Sequence, residues 1–300
     1  MLVRFWGTRG SIPVPGRKTV KYGGNTPCVQ LESEDVLIIF DAGTGIRSLG
    51  RSLMKRKGGR PIEGHILLSH THWDHIQGFP FFAPAFAQGN RFAVYGCEGA
   101  SKRLEDILAG QMGTEYFPVT LSEMGSEIEF VSVGRGSFRI GPVEVVTEFM
   151  NHPGLCLGYR VSSEGRTVVY TTDNEPYFGL LSMRRGERGN RDLTEKERAS
   201  LKSLDEQTVQ FIRDADLLIA DTHWTLGEYK HKLGWGHGSV DHALEIALQA
   251  GVRQLALFHH SPTRSDAQID AVVKRCRQKL RRMGADLKCF AAREGLKVVL

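Results

Sequence analysis

Residues 70–75 read HTHWDH and directly follow ILLS at residues 66–69, the apolar end of a predicted strand. Three histidines and one aspartate within six residues are rare by chance, although a solvated polar turn is the alternative interpretation. Neutral imidazole nitrogens and carboxylate oxygens are ligands that zinc, iron and manganese accept. The segment therefore predicts two adjacent divalent metal ions at the exit of a β-strand.

Length and composition set limits on the class of protein. The chain has 300 residues, 41% of them hydrophobic, which is enough for a sizeable buried core. No run reaches eighteen apolar residues, and residues 1–10 lack the apolar core of a signal peptide, so no membrane contact and a cytoplasmic location are expected. Five cysteines without a Cys-x-x-Cys pair predict reduced thiols. A net charge of +5 is compatible with anionic ligands but does not require nucleic acid.

Short β-prone runs, separated by Gly, Pro and Asn turn signals, recur along the chain. About a dozen strands exceed what one open sheet flanked by helices holds, which favours an α/β arrangement with two sheets packed face to face. We expect a single domain over residues 1–300. The main predicted strands are residues 2–7, 27–32, 36–41, 65–69, 91–95, 127–133, 143–149, 157–161, 167–171, 217–220 and 254–258.

Helical patterns are clearest near the C-terminus. Ser239 or Asp241 is expected to cap a helix over residues 243–249, with Gly251 as its stop. Residues 267–283 have apolar residues at helical spacing among six basic ones; a solvated outer face is the favoured interpretation and a phosphate-facing surface the alternative. Residues 186–202 form the most polar stretch and predict a surface insertion that ends in a short helix.

Four further polar motifs follow predicted strands. They read NHPG at residues 151–154, TDNE at 172–175, DTHW at 221–224 and HHSP at 259–262. Loops at the ends of a rigid sheet can hold ligands without burying unpaired polar groups in the core. Taken alone, His152 predicts only a backbone-bonded turn and Asp173 only a cap, but their order after residues 70–75 favours a common metal site.

This order of motifs resembles the metallo-β-lactamase superfamily, in which His-x-His-x-Asp-His is followed by a His, an Asp and a final His. The resemblance runs from Met1 to beyond Pro262, and FDAG at residues 40–43 is similar to the early Asp-containing strand end of the family. It implies a four-layer αββα sandwich of two mixed β-sheets flanked by helices, with two divalent ions at its edge: zinc, or alternatively manganese or iron. The implied ligands are His70, His72 and His152 for one ion, Asp74, His75 and His259 for the other, and Asp173 between them.

Smaller segments point to a branch of the superfamily. WGHGS at residues 235–239 is similar to the Gly-His-Ser segment of tRNA 3′-processing endonucleases and related cyclic-nucleotide phosphodiesterases. This similarity implies that His237 is an electrophilic or general-acid residue rather than a turn histidine. Residues 1–28 resemble the opening of phosphodiesterases, including the phosphoribosyl cyclic phosphodiesterase group. No Gly-rich basic arm of the tRNA-processing enzymes is evident, which weakens the tRNA assignment.

Two histidines are left with open roles, and Asp41 is given a structural role. His259 is preferred to His260 as the ligand because of similarity to the endonucleases, and His260 remains an alternative ligand or a substrate-facing residue. His223 is expected either to hold His237 by a hydrogen bond or to be a core histidine. Asp41 is expected to brace the loop of residues 70–75 by hydrogen bonds without touching metal.

The resemblance implies a dinuclear metal-dependent hydrolase, with a hydroxide between the ions attacking phosphorus and with Asp74 and His237 as catalytic residues. The expected substrate is a cyclic nucleotide, or another small or nucleic-acid phosphodiester, and a homodimer is expected. A di-iron oxygen-binding sensor or oxidoreductase and an ester, thioester or lactam hydrolase are the alternatives. Four phenylalanines after the motif either pack beneath the next strand or roof the site over a base: Phe79, Phe81, Phe82 and Phe86.

Overall fold

Two seven-stranded sheets lie at the centre of the computed structural model, which describes residues 1–99, 102–177 and 194–300. The first sheet has the order β14-β1-β2-β3-β4-β5-β6 and the second β13-β12-β11-β10-β9-β8-β7. The strands are β1 (Leu2–Gly7), β2 (Cys28–Ser33), β3 (Val36–Phe40), β4 (Glu63–Leu67), β5 (Arg91–Gly96), β6 (Glu127–Ser132), β7 (Gly136–Ile140), β8 (Val143–Phe149), β9 (Leu157–Ser163), β10 (Arg166–Thr171), β11 (Leu217–Asp221), β12 (Gln254–Phe258), β13 (Lys288–Ala291) and β14 (Lys297–Val299).

Helices cover the outer face of each sheet. Apolar residues of α1, such as Leu49, pack on the outer face of the first sheet, while α6 and α7 pack on the second through residues such as Leu244 and Ile269. The α-helices in the described ranges are α1 (Gly45–Lys57), α2 (Trp73–Ile76), α3 (Leu104–Gly110), α4 (Glu195–Ile212), α5 (Leu226–Tyr229), α6 (Val240–Gln249) and α7 (Asp266–Met283).

A third apolar cluster fills the space between the sheets. Phe40 of β3 stacks on Tyr170 of β10 with ring centroids 5.0 Å apart, and Tyr170 also meets Phe258 of β12 edge-on at 5.7 Å. All three side chains are fully buried. Because each sheet is covered on both faces, the layers are helix, sheet, sheet and helix, and the predicted αββα sandwich of mixed sheets is confirmed.

Parallel pairing brings the ends of several strands to one edge. In the first sheet β3 runs parallel to β4, with Phe40 opposite Leu67. In the second sheet β10, β11 and β12 are parallel, with Thr171 opposite Ala220 and Asp221 opposite Phe258. Parallel strands that are in register end together, so the polar segments that follow them lie side by side.

Most element predictions agree with the structure, with corrections at the boundaries. Ser239 caps α6 by accepting from the backbone N–H of His242, so this helix begins three residues before the expected start. The polar stretch was expected to end in a short helix, but α4 runs for 18 residues from Glu195, and residues 186–193 lie outside the described residues. Strands β7, β13 and β14 were missed. The single-domain assignment stays a prediction.

The phenylalanines after the motif divide between the two predicted roles. Phe79 and Phe82 are buried in the apolar cluster beneath α1, which confirms packing for this pair. Phe81 is 55% exposed and meets Phe117 edge-on, and Phe86 is 36% exposed.

In the part of the chain that the structure describes, no helix has the length and apolarity needed to cross a membrane.

Candidate metal centre

The loop of residues 70–75 leaves β4 at the edge where the parallel strands end. Asp41, directly after β3, lies in the left-handed region at φ +59° and holds this loop in place. Its carboxylate accepts from the Ser69 backbone N–H at 2.7 Å, the His75 Nδ1–H at 2.8 Å and the Tyr170 hydroxyl at 2.6 Å. Because Nδ1 of His75 donates to Asp41, Nε2 is the nitrogen that is available to a metal ion. The predicted bracing role of Asp41 is thus confirmed.

One cluster of possible ligands contains His70, His72 and His152, whose ligand atoms lie within 4.8 Å of one another. The Nδ1–H of His152 donates to the Gly236 carbonyl oxygen at 2.8 Å, which leaves its Nε2 as an acceptor 3.0 Å from His72 Nδ1. His70 Nε2 is buried and has no hydrogen-bond partner. A buried nitrogen without a partner costs free energy, and an electron-pair acceptor at this point would remove that cost.

A second cluster contains Asp74, His75 and His259. Asp74 Oδ2 lies 3.2 Å from His259 Nε2 and 3.3 Å from His75 Nε2, and it accepts from the Ser11 backbone N–H at 2.6 Å. His75 and His259 are completely buried. The chain therefore brings one carboxylate and two imidazoles from distant parts of the sequence to one point.

Asp173 lies between the two clusters. Its Oδ1 is 3.3 Å from His75 Nε2 and 3.2 Å from His259 Nε2, while its Oδ2 is 3.8 Å from both His70 Nε2 and His152 Nε2. Each oxygen thus faces a different cluster. The structure brings the other six predicted ligands together around this buried carboxylate.

The charges at the centre favour a cation. Burial opposes the charged form of each group, but His259 and His75 hold the pKa of Asp173 well below its ordinary value, and His75 does the same for Asp74. In turn, Asp74, Asp173 and Asp41 raise the pKa of His75 well above its ordinary value despite complete burial. Divalent cations would neutralise these carboxylates in place of a protonated histidine, so the donor set fits such ions.

His237 lies beside the two clusters and is held by Asp221. Its Nδ1–H donates to Asp221 Oδ2 at 3.0 Å, and the same nitrogen is 3.7 Å from Asp173 Oδ2. Burial opposes protonation, yet these carboxylates raise the pKa of His237 to about 9. A divalent cation at Asp173 would lower this pKa again by repulsion. With Nδ1 committed to Asp221, Nε2 is the nitrogen that remains for a substrate.

The two uncertain histidines have different positions. The His223 ring stacks on His237 with centroids 4.5 Å apart, while its Nδ1 lies 3.1 Å from the His259 carbonyl oxygen. Of the two alternatives for His223, the structure agrees with the core histidine, because its side chain is buried and the two rings meet face to face without a hydrogen bond. His260 is buried, donates from Nε2 to the Ala292 carbonyl oxygen at 2.9 Å, and belongs to none of the ligand clusters found in the described residues.

Two carboxylates that shape the site were not singled out from the sequence. Asp221 was quoted only as part of a strand-end motif. Glu175, which is buried, accepts from the backbone N–H groups of Gly234 and Gly236 and so holds the loop that carries His237. The clustering of glycines at residues 234–238 is the signal that could have indicated a loop held through its backbone. Gly236 has φ +78°, and a Cβ there would lie 2.2 Å from His152 Nδ1.

Fold and site together define a metal-binding αββα protein, and comparisons with known proteins give its family. The family model described as a β-lactamase superfamily domain matches residues 37–185. Residues 37–185 thus match a β-lactamase superfamily domain, and the fold of the chain is the metallo-β-lactamase fold, as the resemblance predicted.

Relatives and solved structures span nearly the whole chain. Ribonuclease Z of Thermoplasma acidophilum is 25% identical over 290 residues, covering 88% of this chain and 88% of the relative. The metallo-β-lactamase fold protein YhfI of Bacillus subtilis superposes with a TM-score of 0.62 at 18% identity, covering 99% of this chain and 98% of that one. The short form of human tRNase Z also gives a TM-score of 0.62, at 17% identity, covering 100% and 99%.

Proposed function

We propose that the protein is a metal-dependent phosphodiesterase that acts on RNA. The relatives named ribonuclease Z support this activity, since they match across most of both chains. The observation that carries the proposal is the position of Asp173, whose two oxygens face two separate groups of histidines. Such an arrangement suits a pair of ions that act on the attacking and leaving oxygens of one phosphodiester.

We assign the ligands as the sequence predicted. One ion would be held by His70, His72 and His152, the other by Asp74, His75 and His259, with Asp173 shared by both. Zinc is the proposed metal, because the donors are imidazole and carboxylate, and the proposed number is two ions per chain. When bound, the ions supply a hydroxide nucleophile at neutral pH and offset negative charge on the phosphoryl oxygens.

Residues of the chain supply the remaining chemistry. The Ser11 backbone N–H fixes Asp74, which orients this carboxylate before substrate binds. His237, held by Asp221, would protonate the departing alkoxide through Nε2. Asp74 would act as a metal ligand whose orientation is fixed by Ser11, and His237 would act as the general acid.

A cavity of about 540 Å³ beside His237 offers room for substrate. Trp235 lies in its lining and is 57% exposed, and the Lys232 ammonium group lies 4.1 Å from the centre of a Trp235 ring. An exposed indole can stack on a nucleobase, and the lysine adds charge attraction to a phosphate. This lining supports a nucleotide rather than a lactam or thioester. The relatives named ribonuclease Z do not favour the di-iron alternative. A homodimer in the cytoplasm stays a prediction.

The test is cleavage by metal-loaded protein of bis(p-nitrophenyl) phosphate and of a transfer RNA with a 3′ extension. We expect turnover of both, and we expect His152→Gln to reduce it at least a hundredfold. His65→Gln is the matched control, because His65 lies in β4 and its nearest polar partner is the Tyr95 hydroxyl. Failure of the zinc-loaded and manganese-loaded protein to cleave either substrate would reject the proposal, and cleavage of cyclic nucleotides alone would reject RNA as the substrate.

A further inference from the structure

Another groove, of about 670 Å³, lies away from the metal centre, between α7 and the edge strands β13 and β14. Its lining contains seven cationic side chains but a single carboxylate, that of Asp270, whereas the whole chain has 39 Lys and Arg against 34 Asp and Glu. The groove therefore concentrates positive charge far above the average of the chain. The cationic residues are Lys21, Lys274, Arg277, Arg281, Lys288, Arg293 and Lys297.

Most of these cations lack a neutralising partner. Within the described ranges, Lys21 pairs with Asp270, but no carboxylate lies within 4.0 Å of the other six, all of which are exposed. The opposite side of α7 differs, since Arg275 and Lys279 both lie within 4.0 Å of Asp241. The helix thus pairs some of its charges with an acid on one side and presents unpaired charges on the other.

The groove collects its charges from separate parts of the sequence. Residues 270, 274, 277 and 281 recur at helical spacing and share one face of α7. Lys288 begins β13 and Lys297 begins β14. The edge strands of two different sheets therefore contribute to the same lining. The Arg277 Nε–H donates to the Cys289 carbonyl oxygen at 2.9 Å and ties the helix to β13.

The groove leads towards the metal centre. Strand β13 is parallel to β12, with Gln254 opposite Lys288, so the lining runs from the start of these strands towards the edge that carries the ligands. At that end Tyr22 lines the groove, and its ring meets the His260 ring edge-on at 5.8 Å, one residue from His259. The five residues of β12 span roughly 17 Å, which is long enough for several consecutive backbone phosphates.

We infer that this groove binds the phosphate backbone of the RNA substrate at a distance from the bond that is cleaved. The inference rests on the proposed function and adds a second contact region for the body of the RNA. An RNA strand presents regularly spaced anionic groups, which match a row of unpaired cations without requiring base recognition. A small phosphodiester occupies only the metal centre and does not reach the groove.

The experiment compares two variants that each lose three positive charges. The groove variant carries Lys274→Gln, Lys288→Gln and Lys297→Gln. The control variant carries Arg275→Gln, Lys279→Gln and Arg282→Gln, which lie outside the groove lining on α7. Fluorescence anisotropy measures binding of labelled mature transfer RNA over a salt series, and bis(p-nitrophenyl) phosphate measures the chemistry of the metal-loaded protein.

We expect the groove variant to bind transfer RNA at least tenfold more weakly near 0.1 M salt, with a log–log salt slope smaller by about 2 to 3. Its turnover of the small substrate should stay within twofold, and the control variant should bind within about threefold of the parent. Equal losses in both variants, or unchanged RNA binding by a groove variant with normal turnover, would overturn the groove assignment alone. The groove assignment would also be overturned if the three lysines were needed for binding to phosphatidylserine vesicles but not for binding to RNA. Absence of phosphodiester turnover in the parent protein would instead reject the proposed function.

Discussion

Replacing Asp41 by Asn tests whether hydrogen bonds behind the metal centre set its geometry. Asp41 is completely buried, and its carboxylate accepts from Ser69, His75 and Tyr170. Its φ of +59° is one that Asn adopts at least as readily, so the backbone should not be strained. The substitution therefore changes the chemistry of the acceptor and little else.

The expected loss of stability follows from the number of hydrogen bonds that the Asp41 carboxylate accepts. In either orientation, the amide NH2 of Asn would face a group that donated to the carboxylate. Facing His75 and Tyr170, it would remove two hydrogen bonds to a charged acceptor, each worth about 1.5 to 3 kcal/mol. Because the Tyr170 hydroxyl can turn to accept, we expect the free energy of unfolding to fall by about 3 kcal/mol. Loss of the bond that fixes His75 should weaken metal binding roughly 10- to 100-fold.

Urea unfolding followed by circular dichroism measures the first effect on metal-free protein, and competition with a chromophoric zinc chelator measures the second. Asp35→Asn is the matched control, since Asp35 also has a positive φ of +65° but is exposed. The control should change stability by less than about 0.5 kcal/mol. A change below about 1 kcal/mol for Asp41→Asn, together with less than threefold weaker zinc binding, would refute the reasoning.

Two further substitutions test the loop that carries His237, the proposed general acid. Asp221→Asn should lower kcat about 100-fold on RNA, because His237 loses the carboxylate that orients it, but only slightly on bis(p-nitrophenyl) phosphate, whose leaving group needs no proton. Equal losses on both substrates in steady-state assays would contradict this role. Gly236→Ala should destabilise the protein by about 1 to 2 kcal/mol through its positive φ and should displace His152, so that one zinc equivalent is lost on elemental analysis. Full zinc content in the folded variant would contradict the assigned contact.

The convergence of the candidate ligands could be predicted because strand ends are readable in a sequence. Each predicted ligand follows a short apolar run, and parallel strands in register carry the segments that follow them to one edge. The motif of residues 70–75 supplied the chemistry, and the order of the later His and Asp residues supplied the rest. The sequence was thus sufficient for the fold class and for the grouping of the seven candidate ligands, one of which is Asp173.

Other features depend on contacts that no local pattern encodes. Glu175 and Asp221 act on a loop some 16 to 61 residues away, and a single acidic residue carries no sign of its partner. Strands β13 and β14 have four and three residues, too few to establish an alternating pattern. The basic helix also could not be assigned to a groove from the sequence, because two of the cations opposite it, Lys288 and Lys297, lie in these missed strands.

The most direct test of the account is the position of metal in crystals of zinc-loaded protein, located by anomalous scattering at the zinc edge. Two peaks about 3.5 to 4 Å apart, on either side of Asp173, are expected. Each should contact one of the two histidine groups. A single peak away from Asp173, or none under saturating zinc, would contradict the central claim that seven distant residues hold a pair of ions.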